Sequence, residues 1–234
     1  MEKSGKLMCV VRRLAADLAL AAIVVSLFVS LSLLGGNAAA QPDAAAVFGR
    51  GAVYSGRNTG KLGFCCTAGW NAAAIDDMLA VFQKNGVTVT FALGLDAVTA
   101  APELVRRLTA AGHEIAVLAG DDAKTVKRDA ERTAQIVESI GAGRPKLLVF
   151  TGENPAARHA ANALGMTAVA GSTRLITVRG TAKQIAESAA GSACGGSIVL
   201  CDPTAALAEA LPSILEYYSA MGLTTSTVSG TIYD

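Results

Sequence analysis

The stretch KLGFCCTAGW, residues 61–70, begins as a buried β-strand and ends in two cysteines, a threonine and the single tryptophan of the chain. From Lys61 onward, short apolar segments of this kind alternate with amphipathic segments typical of helices. About seven strand–helix units follow one another, which predicts a parallel sheet, either closed as a barrel or covered by helices on both faces. The unit count favours the barrel, although 234 residues is short for an eight-fold barrel. We therefore expect one α/β domain, a distorted barrel of about seven to eight parallel strands.

Residues 1–60 form two segments of different composition. Residues 1–40 carry basic side chains near the start, then an uncharged run over residues 18–34, then an alanine-rich exit. This is the pattern of an export signal with cleavage after Ala40, and the alternative is an uncleaved membrane anchor that includes residues 14–36. Residues 41–60 have no period and are expected to be a lead-in to a domain at residues 61–234. That domain is expected outside the membrane: extracellular, in the cell envelope, or anchored and facing outward.

Charge and cysteine content narrow the classes of function. Without residues 1–40 the chain keeps 16 basic and 17 acidic side chains, so neither a basic patch nor a role in nucleic-acid binding is expected. Four cysteines remain, an even number that permits disulfides in an exported protein. None of them has the CxxC spacing of a zinc site. They are Cys65, Cys66, Cys194 and Cys201.

Three stretches of this chain resemble the polysaccharide deacetylase (NodB-like, carbohydrate esterase 4) family, in its sporulation-associated branch. They are KLGFCCTAGWNAAAIDDMLAVFQKNGVTVTFALG at 61–94, PELVRRLTAAGHEI at 102–115 and SIVLCDPTAALAEALPSILEYYSAMGL at 197–223. The resemblance implies metal-assisted hydrolysis of N-acetyl groups on a sugar polymer. That chemistry requires a carboxylate base, an aspartate and two histidines for a divalent metal, and an acid that protonates the leaving amine.

The family pattern, laid over this chain, places none of these groups on a residue of the required type. The base aspartate falls at Thr67 and the metal-binding aspartate at Ala68. The two histidines fall at Leu118 and Asp122, and the histidine of the leaving group falls at Asp202. The resemblance therefore implies the scaffold of the family without an intact catalytic set. We expect neither a metal site nor another cofactor.

Strand alternation predicts where the cysteines point. Cys65 and Thr67 should face the barrel interior, whereas Cys66 and Cys201 should face the helices. If the first and last strands are neighbours, Cys66 and Cys201 are candidates for a disulfide; the alternative is two small residues packed beneath the helices. A register shift of one residue would also put Cys201, instead of Asp202, at the family's histidine position.

A replacement catalytic set is a further alternative. Cys65, Asp122 and Asp202 could form a metal site, but this set mixes soft and hard ligands without a histidine. A cysteine nucleophile would need a histidine base. His113 is expected at the opposite end of the barrel as a structural residue, and His159 on the exposed side of a helix.

The strand ends also supply candidates for a binding groove, since ligands of parallel sheets meet the carboxyl ends of the strands. Trp70 would either stack on a sugar ring or pack against the first helix. Asp121 and Asp122 would either cap the following helix or form a polar lip of the groove. Thr67 and Asp202 complete this set of candidates.

Together, the residues and the resemblance predict an exported, catalytically inactive deacetylase-like protein that binds cell-wall or spore-envelope polysaccharide or a protein partner. Two alternatives stay open. One is a divergent, active N-deacetylase that uses a metal such as zinc to hydrolyse amide C–N bonds of a peptidoglycan- or chitin-like polymer. The other is a structural envelope protein without a ligand.

Overall fold

The computed structural model describes residues 51–68 and 72–234, all of which belong to one compact unit. The predictions for residues 1–40, for residues 41–50 of the lead-in and for Trp70 lie outside the described residues. Within the described ranges, every helix is too short or too polar to cross a membrane.

The described part of the chain alternates between strands and helices, as the sequence predicts. The strands are β1 (Lys61–Ala68), β2 (Thr90–Leu93), β3 (Glu114–Leu118), β4 (Leu147–Val149), β5 (Thr167–Val169), β6 (Thr173–Leu175), β7 (Ile198–Cys201) and β8 (Thr224–Ser226). The helices are α1 (Ala72–Asn85), α2 (Leu95–Ala100), α3 (Pro102–Ala110), α4 (Val126–Ser139), α5 (Pro155–Ala163), α6 (Ala182–Gly191), α7 (Ala205–Ala220) and α8 (Val228–Ile232). The short helices α2 and α8 are additions to the predicted pattern.

The strands form one parallel sheet in the order β5-β4-β3-β2-β1-β7-β6, and β8 pairs with the first residues of β1. This arrangement confirms the predicted distorted barrel of parallel strands. Since the strands are parallel, their carboxyl ends lie at one edge of the sheet. Between β5 and β6 the barrel has a seam, which the lead-in fills: Val53 bridges to Val169, and Ser55 bridges to Ser197.

Two hydrophobic layers hold this sheet in place. The barrel interior contains small and branched side chains, among them Cys65, Ala92 and Leu200. The outer layer, between strands and helices, contains Cys66 and Cys201. The cysteines therefore face the two sides that strand alternation predicts.

An aromatic cluster fixes α1 on the amino-terminal half of the sheet. The fully buried ring of Phe82 makes edge contacts with Phe64, Phe91 and His113. His113 directly precedes β3, and its Nδ1 accepts a hydrogen bond from the Val89 amide at 3.2 Å. This histidine is therefore a structural residue at the end of the barrel opposite the carboxyl ends, as predicted.

Candidate functional site

A cavity of about 260 Å³ opens at the carboxyl ends of β1, β2 and β3. Its wall includes Ala68 from the end of β1 and Leu118 from the end of β3, two positions that the resemblance assigns to metal ligands. Asp129 of α4 also lines the cavity, and a hydrogen bond with the Thr125 hydroxyl is the main cause that lowers the pKa of this carboxyl group. Asp129 is thus an anion near neutral pH and cannot supply a proton to a leaving amine.

The residues at these positions do not fit the divalent metal of the family. Ala68 and Leu118 have no donor atom in their side chains, whereas such sites use imidazole nitrogen, thiolate or carboxylate ligands. Within residues 51–68 and 72–234, no three His, Cys, Asp or Glu side chains lie close enough together to hold a metal ion. The alternative set of Cys65, Asp122 and Asp202 is therefore wrong as a ligand group.

Thr67, Asp202 and Arg174 form a polar network where β1, β7 and β6 end. The Thr67 hydroxyl donates to Asp202 Oδ1 at 2.6 Å, and it also lies 3.2 Å from the Cys201 carbonyl oxygen. The other carboxylate oxygen of Asp202 accepts from Arg174 at 2.9 Å. The Thr177 hydroxyl donates to the Asp202 backbone carbonyl at 2.8 Å, and this bond joins the loop after β6 to the end of β7. We call Thr67, Asp202 and Arg174 the Thr67–Asp202 network.

The hydrogen bonds of this network stabilise the fold and leave none of its groups available for catalysis. Thr67 is almost completely buried and acts as a donor, so its hydroxyl cannot remove a proton from water. Asp202 has one oxygen engaged by the Thr67 hydroxyl and the other by the Arg174 guanidinium, so both carboxylate oxygens already have hydrogen-bond partners. The structure thus brings together two of the predicted site residues, in an arrangement that satisfies their hydrogen bonds internally.

The acidic pair after β3 lies on an exposed turn. Asp122 Oδ1 accepts from the Lys124 amide at 2.9 Å, and the Asp122 carbonyl accepts from the Val126 amide. The N-cap residue of α4 is Thr125, so the prediction that Asp121 and Asp122 cap this helix is wrong by about one turn. Asp122 accepts hydrogen bonds within the turn that precedes α4, so it does not cap the first turn of the helix.

The cysteines on β1 and β7 lie close together. Cys66 and Cys201 are register partners on neighbouring strands, and their Sγ atoms are 3.7 Å apart. Both are present as free thiols, so their disulfide stays a prediction. Burial raises the pKa of the Cys65 and Cys201 thiols, which keeps them protonated and poorly nucleophilic.

No histidine among the described residues is placed to assist a cysteine at the carboxyl ends. His113 is buried at the other end of the barrel, and burial lowers the pKa of its imidazole. His159 lies on the exposed face of α5, as predicted. The predictions for Trp70 cannot be compared with this arrangement, since it lies outside the described ranges.

The seam between β5 and β6 contains residues that sequence analysis did not select. Tyr54 of the lead-in is 52% exposed, and it lines two clefts together with Glu153. Arg158 lines the first cleft and Arg174 the second. The sequence offers one signal for this site, the aromatic Tyr54 between Val53 and Ser55. The segment is too short to show the alternation that would predict a strand there.

The fold and these strand ends define the class of protein, a distorted parallel barrel of the deacetylase type. Residues 65–169 match the family model described as polysaccharide deacetylase, over the stretch that runs from β1 to β5. This match confirms the resemblance seen in the sequence over residues 65–169, a little under half of the chain.

Solved structures share this fold at low sequence identity. A wild-type CE4 family pseudoenzyme from Bacillus anthracis aligns with a TM-score of 0.72 at 15% identity, covering 78% of this chain and 69% of that one. A mutant of that protein is described as having restored enzymatic activity. The family 4 carbohydrate esterase PdaA of Bacillus subtilis aligns with a TM-score of 0.68 at 20% identity, covering 80% and 87%. A family 4 carbohydrate esterase from Streptomyces lividans aligns with a TM-score of 0.64 at 20% identity, covering 72% and 92%.

These identities show the fold alone. A search of curated protein sequences found no significant match.

Proposed function

We propose that this chain is an exported, catalytically inactive relative of the polysaccharide deacetylases that binds cell-wall or spore-envelope glycan. The proposal rests on the side chains at the carboxyl ends of the strands, where the family has its catalytic residues. Two ligand positions of the family are the apolar residues Ala68 and Leu118, and the position of the base is a buried hydroxyl that donates to Asp202.

The energetic argument favours loss of catalysis over a weakened enzyme. A single general acid or base commonly contributes about two to four powers of ten to a rate, and donors that stabilise developing charge contribute a similar factor. Here the base, the metal ligands and the leaving-group acid are all replaced at the positions that the resemblance assigns. Without the base, the metal ligands and the acid, the scaffold can bind a ligand but has no groups to catalyse its hydrolysis.

The class of ligand is supported by the family and by the likeness to wall-modifying enzymes. PdaC of Bacillus subtilis, a peptidoglycan deacetylase, aligns with a TM-score of 0.64 at 20% identity. Export is supported by the composition of residues 1–40, a basic start followed by an uncharged apolar run. A glycan polymer outside the membrane would be accessible to a protein exported in this way.

The proposal is tested by measuring retention and acetate release in the same samples. The full-length protein is incubated with purified peptidoglycan sacculi and with chitin in the presence of zinc, cobalt or manganese, and then sedimented. An active family member serves as the positive control for acetate release. We expect retention on at least one of the polymers without acetate above the buffer blank.

The two alternative hypotheses, a divergent N-deacetylase and a structural envelope protein, predict different results in this experiment. Metal-dependent acetate release would identify a divergent N-deacetylase. Absence of both retention and acetate release would contradict the binding function and support a structural envelope protein.

A further inference from the structure

The seam segment, residues 51–60, holds the backbone of one exposed tyrosine between β5 and the residues that precede β7. The Val53 amide donates to the Ala168 carbonyl at 2.8 Å, and the Val53 carbonyl accepts from the Ala170 amide at 2.9 Å. On the other side, the Gly56 amide donates to the Gly196 carbonyl at 2.7 Å. The backbone around Tyr54 is therefore held on both sides, while 52% of the residue stays exposed. An aromatic side chain on a fixed backbone has only two rotatable bonds to order, so it loses little conformational entropy when a ligand stacks on it.

Two adjoining clefts meet at this tyrosine. The larger, of about 380 Å³, lies between Tyr54, the turn after β4 and the residues around β6. The smaller, of about 150 Å³, lies between Tyr54 and the start of α5. The volume of the larger cleft falls within the range of about 300 to 1,000 Å³ that is usual for small-ligand sites.

The turn after β5 shapes the floor of the larger cleft. Gly171 has a φ of +73°, and a Cβ atom there would lie 2.7 Å from Leu200 Cγ. A side chain at this position would meet both backbone strain and a steric clash. Glycine thus lets the backbone at 170–172 pass close to β7 and leaves the space beside Tyr54 open.

The clefts combine an aromatic face with several hydrogen-bonding groups. Glu153 contributes an exposed carboxylate to both, Arg158 a guanidinium to the smaller cleft and Arg174 a guanidinium to the larger. Thr151 and Thr173 add hydroxyl groups to the larger cleft. Among the described residues, neither Glu153 nor Arg158 has an ion-pair partner.

This set of groups matches the chemistry of a pyranose ring. A sugar presents an apolar face of C–H groups, which stacks on an aromatic ring, and an edge of hydroxyl and amide groups that donate and accept hydrogen bonds. The polar lining and the small size of the clefts favour a sugar unit over a protein segment, which would bury a larger and more apolar surface.

We propose that the two clefts around Tyr54, here called the Tyr54 cleft, form the glycan-binding site of this protein. Tyr54 stacks on a pyranose unit, and Glu153, Arg158 and Arg174 bind its polar edge. This inference rests on the proposed glycan-binding function and adds where the polymer binds: at the seam, beside the positions that carry the chemistry of the family.

The test uses the full-length protein, purified sacculi that have been stripped of protein, and a soluble N-acetylglucosamine tetramer. Retention on the sacculi and the dissociation constant for the tetramer are measured for Tyr54→Ala, Tyr54→Phe and Tyr217→Ala. Tyr217 is a matched control because it is 40% exposed and lies on α7, away from the cleft. We expect Tyr54→Ala to weaken tetramer binding about tenfold or more, and the other two variants to bind like the wild type. Thermal unfolding of each variant checks that the fold is intact.

A second variant makes the result independent of any effect on folding. Glu153→Gln keeps the size of the side chain but removes the charge of an exposed carboxylate, so it should leave stability unchanged while it weakens binding severalfold.

The outcomes separate this inference from the function on which it rests. If the wild type binds and Tyr54→Ala and Glu153→Gln bind equally well, the location is wrong and the glycan-binding function survives. If the wild type binds neither the stripped sacculi nor the tetramer, both are overturned. Retention only on sacculi that still carry protein would point to a protein partner and would also overturn the inference.

Discussion

Two regions at the same edge of the sheet differ in what their side chains can do. Around β1 to β3 and β7, the family positions are occupied by Ala68, Leu118 and the Thr67–Asp202 network, whose polar groups bond to one another. At the seam, Tyr54 and Glu153 are exposed to solvent. The comparison teaches that a fold fixes where ligands can approach, whereas the side chains at each strand end decide whether chemistry or only binding can follow.

The largest effect is expected from a substitution that disturbs the seam segment. A Cβ atom at Gly56 would lie 2.1 Å from the Thr231 carbonyl oxygen, a backbone atom that cannot move aside alone. We expect Gly56→Ala to lower the free energy of unfolding by about 3 kcal/mol, at the upper end of the usual cost of overpacking. It should also weaken glycan retention, because it displaces the segment that carries Tyr54.

Gly51→Ala is the matched control for this variant, because a Cβ atom at Gly51 would meet no atom within 4 Å. Both variants are compared by chemical denaturation and by sedimentation with sacculi. Equal stability of the two would mean that the seam segment is not held against α8 in solution.

A smaller effect is expected from breaking the Thr67–Asp202 network. Thr67→Val keeps the shape of the side chain but removes the hydroxyl that donates to Asp202 at 2.6 Å. The partly buried carboxylate then loses a partner, so we expect the free energy of unfolding to fall by about 1 to 2 kcal/mol. Since the substitution leaves Tyr54 and the Arg174–Asp202 ion pair in place, tetramer binding should change less than twofold, which is well below the tenfold change that corresponds to about 1.4 kcal/mol.

Thr99→Val provides the comparison for Thr67→Val. The Thr99 hydroxyl bonds to a carbonyl of its own short helix on the surface, so its loss should cost less than about 0.5 kcal/mol. Chemical denaturation and tetramer titration are applied to both variants. If Thr67→Val lost as much tetramer binding as Tyr54→Ala, the proposal that only the seam region binds the glycan would be wrong.

The smallest effect concerns His113, which lies far from both regions. Burial lowers the pKa of its imidazole below 6.5, so the unfolded chain takes up a proton at a higher pH than the folded chain does. This group therefore destabilises the fold progressively as the pH falls through 6.5 toward the lowered pKa, and it has no such effect above 6.5.

The measurement is the free energy of unfolding between pH 7.5 and 5 for the wild type and for His113→Asn, which keeps an acceptor for the Val89 amide. The variant should show a flatter profile over this range. His159→Gln, a change on the exposed face of α5, should keep the slope of the wild type. An unchanged slope in His113→Asn would assign the pH dependence to other groups.

Much of the fold could be predicted from the sequence because its determinants are local. The alternation at β1, with Cys65 inward and Cys66 outward, follows from the period of a strand. Pro102 marks the first residue of α3, as proline does at the first turn of a helix. The start of α4 was predicted one turn too early, because a turn around Asp122 uses the same acidic residues that would otherwise cap a helix.

The site could be predicted only in part, since its positions came from neighbouring strand ends that the fold brings together. Thr67 and Asp202 were selected, and they do meet. The sequence pattern does not indicate Tyr54, because its position depends on the closure of the seam, which joins segments more than a hundred residues apart. It does not indicate Arg174 either, because this residue meets Asp202 only when β6 pairs with β7. No periodic pattern in residues 51–60 announces such a contact.

The most direct test of the account is the metal content of the full-length protein. The protein is dialysed against trace zinc, cobalt and manganese, then against metal-free buffer, and analysed for bound elements. The account predicts a folded protein with far less than one equivalent of metal per chain, because Ala68 and Leu118 offer no ligand atoms. Near-stoichiometric metal would contradict it and would show that the strand ends hold a catalytic centre of another composition.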